Sequence, residues 1–195
     1  DPERVCEEHL EYAEIIRNSL HRMNKMINQV LDINVIESRV YQLNMDRTDM
    51  KEAAEKIANI YTHVLGQKEI ALELKLEKVV AELNEVYILQ IIDNLVSNAV
   101  KYTPSGGDII IDLQEIEGKA RLCVSDNGIG IPEQLLPGIF DQYEHKKHHL
   151  QQLDPDTGLG LAIVKKYVLA MNGKVWCESK PGQGSSFFVE FDAVK

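Results

Sequence analysis

The sequence predicts an α+β protein: a two-layer α/β sandwich in which a mixed β-sheet is covered by helices on one face, preceded by one long helix. Three observations carry that reading. From Glu3 to Tyr41 the chain keeps an unbroken helical apolar period with no glycine or proline. From about Leu43 onward, helical and alternating periods interleave. The strand-like runs then arrive mostly as hairpins, which favours a mixed sheet over a doubly wound parallel one.

Taken in order, Ala13, Ile16, Leu20, Met23, Ile27 and Val30 recur at spacings of three and four, a heptad-like seam. No proline or glycine falls between Glu3 and Tyr41, so a helix of about 30 residues and about 45 Å is expected. Ile15, Met26, Leu31 and Ile33 widen the stripe as in a bundle helix, which needs partner helices from a second copy or from upstream residues. Residues 1–43 are therefore read as one unit and 44–195 as another. Asp49 followed by Glu52 marks the start of a helix ending near Gly66. EIALELKL (69–76) alternates as a strand, and a helix is expected over 85–102. Pro104, Ser105, Gly106 and Gly107 make a turn. DIIIDLQEI and KARLCVSD flank Glu117-Gly118 as a hairpin. A helix from about Gly160 to Met171 precedes KVWCES and SSFFVEF, a second hairpin.

Composition narrows the function classes. The chain has 195 residues, 44% hydrophobic and 27% charged, as in an ordinary globular protein. A formal charge of −10 argues against nucleic-acid binding through a broad basic face. No apolar run approaches the roughly 20 residues of a membrane span, so any membrane attachment is expected from parts outside this chain. Cys6, Cys123 and Cys177 show no CxxC spacing. They read as reduced thiols, those of Cys123 and Cys177 buried in strands, which fits a cytoplasmic location or the cytoplasmic face of a receptor.

Three stretches carry chemistry. In NLVSNAVKYTP, Asn94 and Asn98 are four apart and share a helix face with Lys101, with Tyr102 beside it. Asparagine is a mediocre helix former, so two of them on one stripe ask for a reason. In SDNGIGIP, a strand runs into Asp126, whose carboxylate can accept a hydrogen bond from an exocyclic amine. Gly128 and Gly130 there permit a tight turn and close approach to a ligand, although Asn127-Gly128 alone also describes a plain turn. In DTGLGLAIVKKYV, Gly158 and Gly160 open an apolar helix whose N-terminal amides favour an anion. No P-loop or dinucleotide fingerprint frames that pair.

In order along the chain, Asn94 to Tyr102, Asp126 to Gly130, Ile139 to Tyr143 and Gly158 to Leu161 resemble the N, first glycine, F and second glycine boxes of sensor histidine kinases, within the GHKL ATPase fold. Gly184 to Phe187 is similar to that family's last strand, and the resemblance runs from about residue 45 to the end. It implies ATP and Mg²⁺ as ligands. Asn98 would ligate Mg²⁺ and Asn94 would support it, while Lys101 would face the phosphates. Tyr102 would pack on the adenine and Asp126 would read its amine, in a pocket shaped by Gly128, Gly130, Ile131 and Tyr143. Gly158, Leu159, Gly160 and Leu161 would bring the lid and the next helix to the phosphates. The segment from about Glu144 to Pro155, with His145, His148 and His149, reads as the ATP lid. The first unit resembles the second helix of the dimerisation and phosphotransfer hairpin, ending at Asp32 to Ser38, which implies a homodimer through this helix. A response regulator receiver domain is the partner so implied.

The chain also departs from the family. Neither His9 nor His21 sits in an H box, so the phosphoacceptor is expected outside this chain. His145 stands where many members have an arginine, and Asp156 where they have a glycine. A neutral histidine lowers the positive charge near the terminal phosphate, and a carboxylate there repels it if it points inward. Two competing functions follow. A degenerate kinase acting as a nucleotide-binding scaffold is favoured by His145 and Asp156. A GHKL-type ATP hydrolase is disfavoured by asparagine where hydrolases carry a glutamate base in the N box. An H-box histidine encoded upstream of Asp1 would favour the kinase.

Overall fold

The computed structural model describes residues 43–141 and 160–194. The expected long helix, the lid and part of the second glycine box lie outside the described residues.

Among the described residues, the 3.6-residue periods become three helices. Helix α1 (Met50–Gln67) starts where Asp49, in extended conformation at φ −78° and ψ 107°, accepts the amide N–H of Lys51 at 2.9 Å. That cap satisfies one of the free first-turn amides and is worth about 1 kcal/mol. The helix ends one residue beyond Gly66. Helix α2 (Glu85–Tyr102) is capped by Asn84, whose Oδ1 accepts the N–H of Tyr87 at 3.1 Å. Pro104 follows two residues after its end, where the helix cannot continue. Helix α3 spans Gly160–Ala170.

The described residues hold seven strands, five of them from two-residue periods. β2 (Ala71–Leu76), β4 (Asp108–Ile116), β5 (Lys119–Asp126), β7 (Gly184–Asp192) and β6 (Lys174–Lys180) form one sheet in the order β2-β4-β5-β7-β6. The β2–β4 pair is parallel and the other three pairs are antiparallel, so the expected mixed sheet is present. The Glu117-Gly118 turn has φ of 53° and 75° at its two residues, the left-handed pair that a tight hairpin requires. Two features were not legible in the sequence. β1 (Asp46–Asp49) and β3 (Val80–Leu83) pair in a small second sheet, and a 3-10 turn covers Glu133–Gly138. Strands of four residues are too short to show a period.

The helices cover one face of the large sheet. Along β5, Ala120, Leu122 and Val124 are buried beneath them, while Arg121, Cys123 and Ser125 alternate to the other face. The cysteine expectation is corrected in part. Cys123 and Cys177 are free thiols, but both are half-buried, because Cys123 falls on the outer face and Cys177 at the sheet edge. On that outer face the Trp176 and Phe188 rings stack at 4.9 Å. The Arg121 guanidinium there donates twice to Oε2 of the buried Glu190, at 2.9 and 2.6 Å.

Helix α2 sits between α1 and α3 and contributes a long buried face to the core. Ile88, Ile91, Ile92, Leu95 and Val96 are fully buried, each worth roughly 1.5–3 kcal/mol. Its rotation is fixed from both sides. Tyr61 of α1 donates its hydroxyl to Asp93 at 2.8 Å, and Lys68 donates to the carbonyl of Val100 at 2.6 Å. On the α3 side, Tyr87 stacks on Tyr167 at 4.1 Å. The asparagine stripe therefore faces one direction only.

Candidate nucleotide-binding site

Asn94 is 6% exposed, buried against the start of α3. Its Nδ2 donates to the carbonyl of Gln90 one turn earlier, at 2.9 Å. A Cβ on Gly160 would lie 3.3 Å from Asn94 Oδ1, a tight contact, so α3 begins close against the asparagine. Two motifs 66 positions apart in sequence, Asn94 and Gly160, thus meet in space. Asn98, Lys101 and Leu161 are half-buried, whereas Tyr102 is 44% exposed with Lys101 Nζ 5.1 Å from its ring centre. Tyr143, Gly158 and Leu159 lie outside the described residues.

The first glycine segment is clamped by backbone on both sides. A Cβ on Gly128 would come within 2.4 Å of the Tyr102 carbonyl, and Ile129 donates its N–H to that same oxygen at 3.3 Å. Gly130, at φ 67°, has the Lys180 carbonyl 2.0 Å from where its Cβ would stand. Gly184, at φ 87°, passes so near that a Cβ would sit 1.9 Å from the Asp126 carbonyl. These glycines let protein backbone approach protein backbone, which holds the chain around Asp126 in place. The half-buried Ile131 is held by its N–H to Ser179 Oγ at 2.8 Å.

Asp126 stands at the centre of that clamp. Its Oδ1 accepts the N–H of Gly128 at 2.8 Å. Burial pushes its carboxyl above the ordinary range, and the N–H groups of Gly128 and Ser185 pull partly the other way. A carboxylate held in place by backbone amides and partly stripped of water is suited to accept from a ligand N–H.

An open cleft of about 470 Å³ lies against this carboxylate, lined by Asp126, Leu136, Cys177, Ser179 and Ser185 among others. Of the residues given a ligand role from the sequence, Asp126 alone lines it, because Asn94 and Asn98 stand along α2 rather than at the sheet edge. Sequence reasoning missed Leu136, Cys177 and Ser179. Cys177 and Ser179 are two apart on β6 and share the Asp126 side of the sheet, a period-two signal that only the β5-β7-β6 order makes meaningful. Burial pushes the Cys177 thiol up to about 12, with Asp126 adding to the rise.

The residues present fit a magnesium nucleotide. The cleft has room for a purine beside an acceptor, and the half-buried amide of Asn98 is a neutral oxygen donor. Among the described residues, no three His, Cys, Asp or Glu side chains cluster as a metal site, and one amide completed by phosphate and water oxygens needs no such cluster.

A mixed sheet under three helices, with an asparagine helix beside a glycine-clamped aspartate, defines a GHKL-type ATPase domain. The chain belongs to the histidine kinase-, DNA gyrase B- and HSP90-like ATPase family, whose model matches residues 83–195. Among its relatives, sensor histidine kinase WalK of Bacillus subtilis (strain 168) is 32% identical over 176 residues, covering 88% of this chain and 29% of WalK. The chain thus spans under a third of that relative's length. Full-length ShkA in complex with AMPPNP superposes with a TM-score of 0.78 at 25% identity, covering 95% of this chain and 39% of ShkA. Histidine kinase ThkA, in complex with response regulator protein TrrA, gives 0.71 at 26% identity, covering 94% of this chain and 51% of ThkA. The histidine-kinase resemblance and the fold expected from it both hold. No helix among the described residues is long and apolar enough to cross a membrane.

Proposed function

We propose that this chain is the ATP-binding catalytic core of a sensor histidine kinase, which directs the γ-phosphate of ATP to a histidine outside this chain for relay to a response regulator aspartate. The observation that carries the reading is Asp126: a partly desolvated carboxylate, held by the Gly128 amide and lining an open cleft. The relatives named as sensor histidine kinases support the same reading, as do the nucleotide on ShkA and the response regulator on ThkA.

The chain's own residues divide the work. Asp126 accepts the adenine amine, and Gly128, Gly130, Ile131 and Tyr143 bound that end. Asn94 and Asn98 extend along α2 toward the phosphates, with Asn98 supplying an amide oxygen to Mg²⁺. Bound Mg²⁺ neutralises phosphate charge and orients the terminal phosphoryl group. Lys101 adds positive charge, and Tyr102 covers the base. Gly158, Leu159, Gly160 and Leu161 let helix α3 and the chain before it come close to the phosphates. Catalysis of this kind is mainly positioning and electrostatics. Residues 1–43 pair with a second copy, and the domain works on the cytoplasmic side.

Calorimetry with ATP in excess Mg²⁺ tests the assignment. Asn98→Ala is expected to abolish the Mg²⁺-dependent part of binding while leaving the unfolding transition in place; unchanged affinity would remove Asn98 from the site. A phosphoacceptor hairpin supplied in trans should gain acid-labile label from γ-labelled ATP, and its failure to do so favours the scaffold alternative.

A further inference from the structure

Ser179 stands where three segments cross around Asp126. It ends the inward series of β6 and pairs with Ser185 in the β6–β7 ladder, while Ser185 pairs with Asp126 in the β5–β7 ladder. Its Oγ donates to the Gly184 carbonyl at 2.7 Å, accepts the Ile131 N–H at 2.8 Å, and lies 3.0 Å from Ser185 Oγ. A hydroxyl has one proton and two lone pairs. A carbonyl has no proton to give, so the Ser179 proton goes to Gly184. The proton shared between the two serines must then be that of Ser185.

This assignment has a chemical consequence for the cleft. Ser185 is 7% exposed and lines it beside Asp126. With its single proton committed to Ser179, the Ser185 hydroxyl offers only lone pairs to whatever enters. The Asp126 carboxylate also only accepts. Two neighbouring acceptors favour an N–H and repel a carbonyl oxygen, and a mismatched buried polar group costs more than a matched one returns.

We propose that Ser179 is a positioning residue for base selectivity: by holding the Ser185 proton, it makes the wall beside Asp126 an acceptor pair that selects a purine bearing an amine at C6 over one bearing a carbonyl. The proposal rests on the reading of this cleft as the adenine end of the nucleotide site. Ser179→Ala frees the Ser185 hydroxyl to rotate and donate, which admits the carbonyl. Ser179→Thr keeps the hydroxyl and the selectivity.

The test is the affinity of the 195-residue chain for ATP and for ITP, both with Mg²⁺, by calorimetry. Ser179→Ala is expected to narrow the ATP-over-ITP preference by about fivefold, the worth of one net hydrogen bond. Ser179→Thr should restore it. Ser185→Ala leaves the Ser179 bonds to Ile131 and Gly184 in place, so it should narrow the preference even if Ser179→Ala does not fold. A parental ratio in Ser179→Ala or in Ser185→Ala, or a loss in Ser179→Thr as large as in Ser179→Ala, overturns the proposal alone. A parent with no preference, or Asp126→Asn with the full preference, overturns both the proposal and the adenine reading beneath it.

Discussion

In the proposed site, the Asp126 side chain sets ligand binding against stability. Burial raises its carboxyl above the ordinary value, so the folded state holds a proton to higher pH than the unfolded chain does. Stability contributed by the protonated form is present below the unfolded value and is lost as pH rises through the folded one. Asp126→Asn removes that loss. Its melting temperature at pH 7 is expected to exceed the parent's, with the difference vanishing at acid pH, while ATP affinity falls sharply. Scanning calorimetry from pH 3 to 8 measures the first effect and titration with nucleotide the second. Cys177 gives a second residue-scale prediction. With its thiol pushed up to about 12, little thiolate exists at pH 8. Alkylation of Cys177 is expected to be much slower in the folded chain than in the unfolded one. Peptide mass spectrometry after iodoacetamide, folded against guanidine-unfolded, reads this directly. Fast labelling in the folded state would contradict the burial of that thiol.

At the scale of elements, α2 is useful only because its rotation is locked. A helix turned by one residue would move the asparagine stripe by about 100°. Apolar packing of Ile88, Ile91, Leu95 and Val96 fixes the buried side, and the Tyr61–Asp93 bond pins the side toward α1. The phenol is raised further by burial and by the Asp93 carboxylate, so it stays a donor throughout the physiological range. Tyr61→Phe is expected to cost about 1 kcal/mol, seen as a drop of about 2–4 °C in melting temperature for a chain of this length. A thermal melt that is unchanged would show that the bond adds nothing net to the α1–α2 contact. The element boundaries themselves were largely readable. Asp49 with Glu52, the Glu117-Gly118 turn and Pro104 are local signals, each acting within a few residues. The β1–β3 pair was not readable, because two four-residue strands make sense only once they lie side by side.

For the whole molecule, the seam from Ala13 to Val30 and the α/β part from Asn44 onward are proposed as separate units with separate tasks, dimerisation and nucleotide binding. A chain beginning at Asn44 is expected to sediment as a monomer and to keep its ATP affinity within about twofold, as independent sites do. Loss of binding in that shorter chain would show that the first unit completes the site. The acidic balance of −10 sits comfortably with this division, since the proposed site holds a nucleotide by local amides and a lysine, not by the general field.

The sequence by itself determined the mixed sheet under helices, the motif order and the asparagine stripe. Each of these is written in short-range chemistry: a period of 3.6 or 2, a cap, a turn, or a pair four residues apart. Tertiary structure alone decided which motifs meet. Gly160 reaches Asn94 because α3 packs on α2, and Gly130 reaches Lys180 because β6 ends beside the glycine segment. It also decided that Leu136, Cys177, Ser179 and Ser185 share a wall with Asp126. Strand order and register bring those residues together from distant parts of the chain, and cross-strand neighbours leave no spacing rule in a single sequence.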